Sequence, residues 1–211
     1  MIIEPYHHQV ARWPAEGRHI LAQFDDASVI VYQAYQPSIA RFALTHGYFG
    51  GKFSLSRMSW IKPNFLWMMY RSGWSSQPGQ EMVLAVRLHR SAFDEILAQA
   101  VHSTYVEPVY GSQNAWKEAL ETSSVRLQWD PDHDPGGNKV ERRAIQLGLR
   151  GDVLARYSRD WIINIEDVTA FAHEQYQHVR RNDYGSLLTP LEQVYPVTDT
   201  QVSARLGIAV R

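Results

Sequence analysis

The feature that most constrains the fold is a pair of short segments in which apolar and polar side chains alternate. The first, VRLQWD, is Val125–Asp130, and the second, RAIQLGL, is Arg143–Leu149. Since successive side chains of a β-strand point to opposite faces, each segment has one apolar and one polar face. The turn-forming string PDHDPGGN lies between them. Together they predict an antiparallel hairpin that is buried on one face and carries hydrogen-bonding side chains on the other.

Other short segments predict further strands and helices. β-Branched, aromatic or continuous apolar runs, which are typical of strands, occur at Ala27–Tyr35, Met58–Ile61, Glu81–Leu88 and Trp161–Ile165. Apolar residues at helical spacing follow the helix-starting residues Pro37, Asn64, Ser91 and Asp167. Because the strand and helix patterns are mixed along the chain, we predict an α+β fold with a mostly antiparallel sheet, continuous or split, and helices packed against it.

The length of 211 residues suits a single domain covering 1–211. Residues 1–18 lack periodicity and are interpreted as an irregular lead-in. His102–Ala115 is interpreted as a surface loop. Residues 182–211 contain two prolines and one short helical pattern, so we predict that they wrap around the periphery of the domain.

The composition excludes several classes of protein. The net charge is −1, which argues against a globally basic nucleic-acid binder and leaves only a local basic site. The chain has no cysteine, so disulfides, thiolate metal sites and thiol catalysis are excluded. No apolar run reaches the ~18 residues of a membrane span, and the N-terminal residues lack the pattern of a signal peptide. We therefore expect a cytoplasmic protein that does not act at a membrane.

Cations and aromatic residues are concentrated between Arg57 and Trp74. This stretch interleaves Arg57, Lys62, Asn64 and Arg71 with Trp60, Trp67, Tyr70 and Trp74. Cations bind phosphate or carboxylate groups, and Trp and Tyr offer flat faces on which a base or nicotinamide ring stacks. The pattern thus indicates a small anionic ligand, in particular a nucleotide. The alternative is that the aromatic residues form core, with the cations at its edge.

Polar residues inside the predicted strands are a second set of candidates, because a half-buried amide or guanidinium needs a hydrogen-bonding partner. They are Gln33, Arg87, Gln128, Asp130 and Gln146. Such residues bind a ligand or each other, and pairing of Arg87 with Asp130, or of Gln128 with Gln146, is the alternative to ligand binding.

The acidic stretch Asp130–Glu141 matches part of a calcium-binding loop. Asp130, Asp132, Asp134 and Glu141 occupy its first, third, fifth and twelfth positions. However, Pro135 replaces the glycine of the sharp turn, and a strand precedes the loop instead of a helix. We therefore expect no metal. Walker, GxGxxG and GxSxG motifs are also missing.

The residues discussed above resemble the domain-of-unknown-function family DUF4291. The strings that carry this resemblance are VYQAYQPSIA, MSWIKPNFLWMMYRSGW, QWDPDHD, RAIQLGLRG and WIINIEDVT. The resemblance extends from about Arg18 to Gly207, and the family name implies no function.

The order of the predicted elements is similar, more remotely, to the small ADP-ribosyltransferase fold, a split β-sheet that grips NAD. This resemblance implies that Tyr32 and Gln33 contact the nicotinamide ribose and that Ser59 and Trp60 line the nicotinamide. It further implies that an acidic residue on a later strand stabilises the oxocarbenium-like transition state. The positions that correspond here are Glu141 and Gln146, although the amide of Gln146 cannot supply a negative charge.

Three hypotheses follow. The first is ADP-ribosyl transfer, to a protein or nucleic acid, or NAD glycohydrolysis, with NAD as the substrate. In it Trp60 or Trp67 stacks on a ring of NAD, and Lys62 and Arg71 bind the pyrophosphate, with Arg87 also expected at the cleft. The second is a non-catalytic nucleotide or RNA binding module that uses the same Arg and Trp face. The third is a structural or partner-binding protein, which is favoured if Trp67, Trp74 and Arg71 are exposed but contact only another subunit; the oligomeric state is left open.

Overall fold

The computed structural model describes residues 1–208. Its strands are β1 (Ile3–Pro5), β2 (Gly17–Arg18), β3 (Leu21–Ala22), β4 (Ser28–Tyr35), β5 (Ser59–Ile61), β6 (Met82–His89), β7 (Ala100–His102), β8 (Val125–His133), β9 (Lys139–Leu149), β10 (Ile162–Asp167), β11 (Leu188–Pro190) and β12 (Gln193–Val194). Its helices are α1 (Tyr6–Val10), α2 (Pro37–His46), α3 (Phe65–Ser72), α4 (Arg90–Ala98), α5 (Glu107–Tyr110), α6 (Gln113–Thr122), α7 (Gly151–Arg159), α8 (Thr169–Arg180) and α9 (Thr200–Leu206). None of these helices is both long enough and apolar enough to cross a membrane.

Most of the strands belong to two sheets. The first is antiparallel, in the order β10-β6-β4. The second has the order β2-β9-β8-β7, with β5 also paired to β9. Within the second sheet β8–β9 and β5–β9 are antiparallel, whereas β2–β9 and β7–β8 are parallel. The predicted α+β class with mostly antiparallel strands is confirmed.

A single backbone bridge joins the two sheets. The amide of Tyr32 on β4 donates to the carbonyl of Lys62, at 2.7 Å, and the amide of Lys62 donates to the carbonyl of Tyr32, at 3.2 Å. Lys62 directly follows β5, so the bridge places the edge of the three-stranded sheet beside the β5 edge of the larger sheet. We call this junction the seam.

The predicted hairpin is present as β8 and β9. Gln128 is directly opposite Gln146, and Trp129 is opposite Ile145. Leu127 and Leu147, which are also opposite each other, are buried in the main core. Alternation therefore sends apolar side chains into the core and leaves the polar face of the hairpin free to line a cavity.

Helix α3 forms where the sequence predicts a two-turn helix. The Asn64 side chain accepts a hydrogen bond from the amide of Trp67, at 2.6 Å, which caps the start of the helix. Gly73 ends it in the left-handed conformation, with φ of 56°. Phe65 and Met69 are buried in a second core between α3, α8 and the three-stranded sheet. One face of α3 is thus core, and its C-terminal turn carries Arg71 to the edge of the seam.

Both terminal segments are more ordered than the sequence indicates. Strand β1 pairs with β11, and the indole N–H of Trp13 donates to the carbonyl of Glu192, at 2.8 Å. The Glu192 carboxylate is buried and accepts hydrogen bonds from the Asn64 amide, at 3.0 Å, and from the backbone of Phe65, at 2.6 Å. Glu192 therefore fixes the C-terminal segment to the start of α3.

The segment His102–Ala115 is also more regular than predicted. Its first residue belongs to β7, α5 lies in its middle and α6 begins at Gln113. Ser112 caps α6 through a hydrogen bond from the amide of Ala115, at 3.2 Å. The Ser112 capping signal was present in the sequence, but the helix that it starts has no buried residue.

Candidate functional site

A large cleft lies at the seam, with a volume of about 1070 Å³. This volume is at the upper end of the range of about 300–1000 Å³ that is typical of small-molecule sites. The cleft is lined by the end of β4, by the loop before β5, by β5 itself, by α3 and by the polar face of the β8–β9 hairpin. Both sheets therefore contribute walls to one cavity.

A hydrogen-bond network across the seam forms part of the cleft wall. The amide nitrogen of Gln33 donates to the Ser59 hydroxyl, at 2.9 Å, and to the carbonyl of Trp60, at 3.1 Å. The Tyr35 hydroxyl is 2.7 Å from the same Ser59 hydroxyl. On its other side, Gln33 accepts a hydrogen bond from the Tyr157 hydroxyl, at 2.7 Å. This network holds the amide of Gln33 and the hydroxyl of Ser59 in fixed positions.

Asp130 is the one carboxylate among the residues that line the cleft. Gln146 donates to Oδ2 of Asp130, at 2.7 Å, and Gln128 donates to Oδ1, at 3.1 Å. Burial raises the pKa of Asp130, while these amides and the charge of Lys62 lower it. The two glutamines lie opposite each other in the hairpin and both orient Asp130, so Gln146 positions a carboxylate and does not replace one.

Lys62 is a buried cation at the same place. Only 6% of its surface is exposed, and its ammonium makes no ion pair within 4 Å with any residue of the described range 1–208. The pKa of Lys62 is lowered to about 8, mainly by burial and in addition by the charge of Arg71, while Asp130 opposes the change. An ammonium that is buried without a close counterion destabilises the folded protein. An anionic ligand beside it would remove this destabilisation.

Three more cations line the cleft, namely Lys52, Arg57 and Arg71. Each is at least partly exposed, and none forms an ion pair in the structure of residues 1–208. Arg71 lies in the last turn of α3, where the helix dipole favours a positive charge. With Lys62 the cleft has four cations against one carboxylate, so its field attracts anions.

Aromatic side chains form the remaining walls. Trp67 and Tyr70 lie on α3 with their rings almost parallel to the ring of His133, at centroid distances of 5.2 and 3.6 Å. The indole N–H of Trp67 is buried without a hydrogen-bond partner among residues 1–208. Trp60 on β5 is half-buried and also lines the cleft. Trp60 therefore offers a more accessible stacking face than Trp67.

Gly148 makes room for Trp60. A Cβ atom at this position would lie 2.6 Å from the sulfur of Met58 and 3.0 Å from Trp60 Cζ2, which is closer than real Cβ contacts. The absence of a side chain lets both residues lie against β9 at the edge of the cleft. A side chain at position 148 would therefore displace Met58 and press against Trp60.

Tyr32 does not reach the cleft, contrary to the prediction. It is completely buried, its ring packs edge-on against Phe65, and its hydroxyl lies 3.8 Å from the Met1 sulfur. The physical reason is strand alternation: Gln33 faces the cleft, so its neighbour Tyr32 faces the opposite side of β4. By the same rule Tyr35 faces the cleft with Gln33, which the sequence analysis missed.

Arg87 and Glu141 are the other two predicted site residues that the structure places elsewhere. Arg87 donates to the Ser28 hydroxyl, at 2.8 Å, and lies 3.7 Å from Asp25, so it pairs with neither Asp130 nor a ligand in the cleft. Glu141 is exposed outside the cleft, and the adjacent Arg142 points inward. The structure therefore brings together seven of the ten predicted residues: Gln33, Ser59, Trp60, Lys62, Trp67, Arg71 and Gln146.

The acidic residues of the calcium-like stretch point to different partners. Asp132 is buried against Arg142, with 2.6 Å between carboxylate oxygen and guanidinium nitrogen, and Asp134 binds the backbone and side chain of Asn138. Within residues 1–208 there is no cluster of three His, Asp or Glu side chains that could hold a metal ion.

The exposure of the tryptophans bears on the partner-binding hypothesis. Trp67 is 4% exposed and Trp74 is 7% exposed, whereas Arg71 is exposed. The two tryptophans therefore belong to the interior and to cavity walls. Their burial does not favour the partner-binding hypothesis.

Comparison with known families adds one finding. The model of a family described as "Domain of unknown function (DUF4291)" matches residues 19–195, which is most of the chain. A search of the curated proteins finds no match to this sequence. The match includes the whole of the cleft.

Proposed function

The chain belongs to the DUF4291 family, and from the contents of its cleft we propose that it binds NAD and releases or transfers the ADP-ribosyl group. One observation carries the proposal: a cleft of about 1070 Å³ with aromatic walls contains a single oriented carboxylate and four cations that form no ion pair within residues 1–208. The cations suit a pyrophosphate, the aromatic walls suit a base or nicotinamide ring, and the carboxylate suits a developing positive charge. The sequence resemblance to the ADP-ribosyltransferase fold is the reason for choosing NAD among nucleotides.

In this proposal Lys62 and Arg71 bind the pyrophosphate. Both line the cleft, and the influence of Arg71 on the pKa of Lys62 indicates that their charges act at the same place. A phosphate between two such cations would gain charge-assisted hydrogen bonds and would relieve their mutual repulsion. Lys52 and Arg57, which also line the cleft, would hold the remaining negative charge.

Trp60 is the preferred stacking surface for a ring of NAD, because its side chain is half-buried whereas that of Trp67 is almost completely buried. A stacked base contributes about 1–3 kcal/mol to binding. The fixed polar groups next to Trp60, the Gln33 amide and the Ser59 hydroxyl, would then lie beside the ribose or the carboxamide of nicotinamide.

Asp130, and not Glu141 as the sequence resemblance implied, is the carboxylate that we assign to stabilise the transition state. In the reaction the bond between C1′ of the ribose and the nicotinamide nitrogen breaks, and nicotinamide leaves with the bonding electron pair. The positive charge that develops on C1′ and the ring oxygen is stabilised by the Asp130 carboxylate, which Gln128 and Gln146 hold in place. Water or an acceptor then forms the new bond to C1′ and loses one proton to the solvent.

The proposal is tested by calorimetry with NAD and by an assay for nicotinamide release, on the wild type and two isosteric variants. We expect Asp130→Asn to retain NAD affinity within a few-fold and to lose nicotinamide release. Glu141→Gln, which removes an exposed carboxylate outside the cleft, is the matched control and should behave as wild type. Absence of NAD binding to the wild type, or equal activity of Asp130→Asn, would refute the proposal.

A second function, nucleotide binding without catalysis, is favoured by one observation. Both oxygens of Asp130 already accept a hydrogen bond from a glutamine, an arrangement that also suits a carboxylate with a purely structural role. This function predicts NAD or RNA binding that depends on Arg71 and on salt, with no nicotinamide release by the wild type. Labelled NAD with protein, RNA and DNA acceptors separates the two functions, since only the first transfers label.

A further inference from the structure

A second pocket, of about 410 Å³, lies beside the cleft on the other side of Tyr70. It is formed by α3, by the turn between β8 and β9, and by the C-terminal end of α8. Tyr70 lines both cavities and is 44% exposed, so one aromatic side chain separates them. Two neighbouring cavities of different size and character suit a reaction with two substrates.

The walls of the second pocket are aromatic and apolar. Trp74 and Tyr176 are stacked, with ring centroids 5.6 Å apart and planes 18° from parallel. The other apolar side chains of the lining are Leu66, Met69, Pro135 and Val179. In contrast to the cleft, where four cations dominate, this pocket has the flat surfaces that favour a planar, uncharged ring.

Polar groups at the rim are available to a ligand. Arg180, Asn182 and Tyr184 line the pocket, and their side chains make no hydrogen bond or ion pair within the part of the chain that the structure describes. Asp134, which also lines the pocket, is by contrast engaged by Asn138. Donors and acceptors around an aromatic slot match the edge of a nucleobase, which presents both.

Backbone strain is concentrated at the same place. Among residues 1–208, three residues other than glycine have positive φ: Trp74 at 54°, Ser75 at 70° and Asn182 at 55°. Trp74 and Asn182 line the second pocket, and Ser75 follows Trp74. Asparagine tolerates this conformation, but a bulky tryptophan rarely adopts it. Strained residues of this kind cluster at functional sites, where the fold holds them in place.

We propose that the second pocket is the acceptor subsite and that it binds a nucleobase of a nucleoside or nucleic acid. The proposal rests on the function proposed for the cleft, because it supplies the group that receives ADP-ribose. A nitrogen or oxygen of the acceptor forms the bond to C1′ as the bond to nicotinamide breaks, nicotinamide leaves with its electron pair, and the acceptor's proton goes to the solvent. Tyr70 is the boundary across which the two substrates meet.

Uncharged nucleosides are the probe, since without phosphate they gain nothing from the cations of the cleft. Binding of adenosine, guanosine, cytidine and thymidine to the full chain is measured by calorimetry, in parallel with NAD. We expect at least one nucleoside to bind the wild type. Tyr176→Leu, which removes one ring of the stacked pair, should weaken this binding about tenfold or more, and Arg180→Ala should weaken it several-fold.

Two controls separate the pockets. Arg181→Ala removes the neighbouring exposed cation, which does not line the second pocket, and should leave nucleoside binding unchanged. Arg71→Ala should weaken NAD binding and leave nucleoside binding unchanged. If Tyr176→Leu does not fold, Arg180→Ala decides the question, because its side chain is exposed and makes no hydrogen bond or ion pair within residues 1–208.

The results distinguish this proposal from the preceding one. If NAD binds and no nucleoside does, or if Arg71→Ala weakens nucleoside binding while Arg180→Ala has no effect, the acceptor subsite is refuted and the cleft proposal stands. If nucleosides bind with the expected pattern but NAD does not, the cleft proposal fails and the second pocket is a nucleobase site without an ADP-ribosyl donor, so its role as an acceptor subsite is also refuted.

Discussion

Lys62 and Arg142 are both 6% exposed, yet the chain holds these two buried cations in opposite ways. The Arg142 guanidinium donates to Asp132 from Nε, at 2.7 Å, and to the carbonyl of Pro14, at 2.7 Å, and lies 5.2 Å from the centre of the Trp13 ring. Lys62 makes no ion pair with the described residues, and burial lowers its pKa to about 8. Arg142 is buried together with its partners and stabilises the fold. Lys62 is buried without an ion pair and is therefore suited to bind an external anion.

The largest effect is expected at the paired cation. Arg142→Met would leave Asp132 buried without its counterion, and we expect the free energy of unfolding in urea to fall by about 3–5 kcal/mol. The adjacent Arg143→Met changes an exposed side chain and should alter stability by less than about 0.5 kcal/mol. A fall of less than about 1 kcal/mol for Arg142→Met would break the comparison, because it would show that the pair contributes little.

The opposite sign is expected at the unpaired cation. The pKa of Lys62 falls from 10.5 to about 8 on folding, so its protonated form opposes folding at pH 7. At about 1.4 kcal/mol per pKa unit, Lys62→Met should raise the free energy of unfolding at pH 7 by up to about 3 kcal/mol. Between pH 8 and pH 10.5 the folded protein has released this proton and the unfolded chain has not, so the wild type should approach the variant in stability.

This second prediction is checked by urea unfolding of both proteins at pH 7 and pH 9.5. Stabilisation that is larger at pH 7, together with loss of NAD binding, would show that a functional charge is kept at the expense of stability. A variant that is less stable than the wild type at pH 7 would contradict the interpretation of Lys62 as an unpaired charge.

The pH dependence of ligand binding sharpens the comparison further. An anion beside Lys62 favours its protonated form, so binding at pH above about 8 must take up a proton. We expect NAD affinity to be constant below about pH 7 and to fall above pH 8, by at most about tenfold per pH unit for a single linked proton. Calorimetry in two buffers of different ionisation enthalpy measures the proton uptake, and no uptake at pH 8.5 would exclude Lys62 from the phosphate site.

The smallest effect is expected at the exposed rim. Arg71→Ala removes a solvent-exposed cation and should weaken NAD binding by about 1 kcal/mol, roughly fivefold in Kd, with a smaller dependence on salt. It should also raise the pKa of Lys62, which Arg71 lowers, and so shift the pH profile of binding upward. Arg143→Ala, on β9 but outside the cleft, is the control. If Arg143→Ala weakened NAD binding as much as Arg71→Ala does, both results would reflect the change in net charge and not a contact in the cleft.

The sequence predicted the parts of the cleft that are close together along the chain. Lys62, Trp67 and Arg71 lie within ten residues, and Asn64 and Gly73 mark the ends of the helix that positions them. The alternation in the β8–β9 hairpin also predicted which face is polar. In these cases local pattern and tertiary structure agree.

The errors occurred where orientation or distant contacts decide the outcome. Tyr32 and Gln33 were both assigned to the ligand, although neighbours on a strand point to opposite faces. The resemblance to the ADP-ribosyltransferase fold implied Glu141 as the acidic residue, but the carboxylate that lines the cleft is Asp130, which the register of β8 against β9 brings beside Gln146. The second pocket depends on α8 meeting α3 across about a hundred residues, and no sequence motif marks it.

The bridge between Tyr32 and Lys62 has one further consequence. These two hydrogen bonds form the backbone bridge between the sheets in residues 1–208, and the side chain of Lys62 lines the cleft. A ligand that contacts β4 on one side and α3 or β9 on the other would stabilise the two hydrogen bonds of this junction against opening. The amide hydrogens of Tyr32 and Lys62 would then exchange with solvent more slowly in the complex than in the free protein, so the two residues at the seam are natural reporters of occupancy.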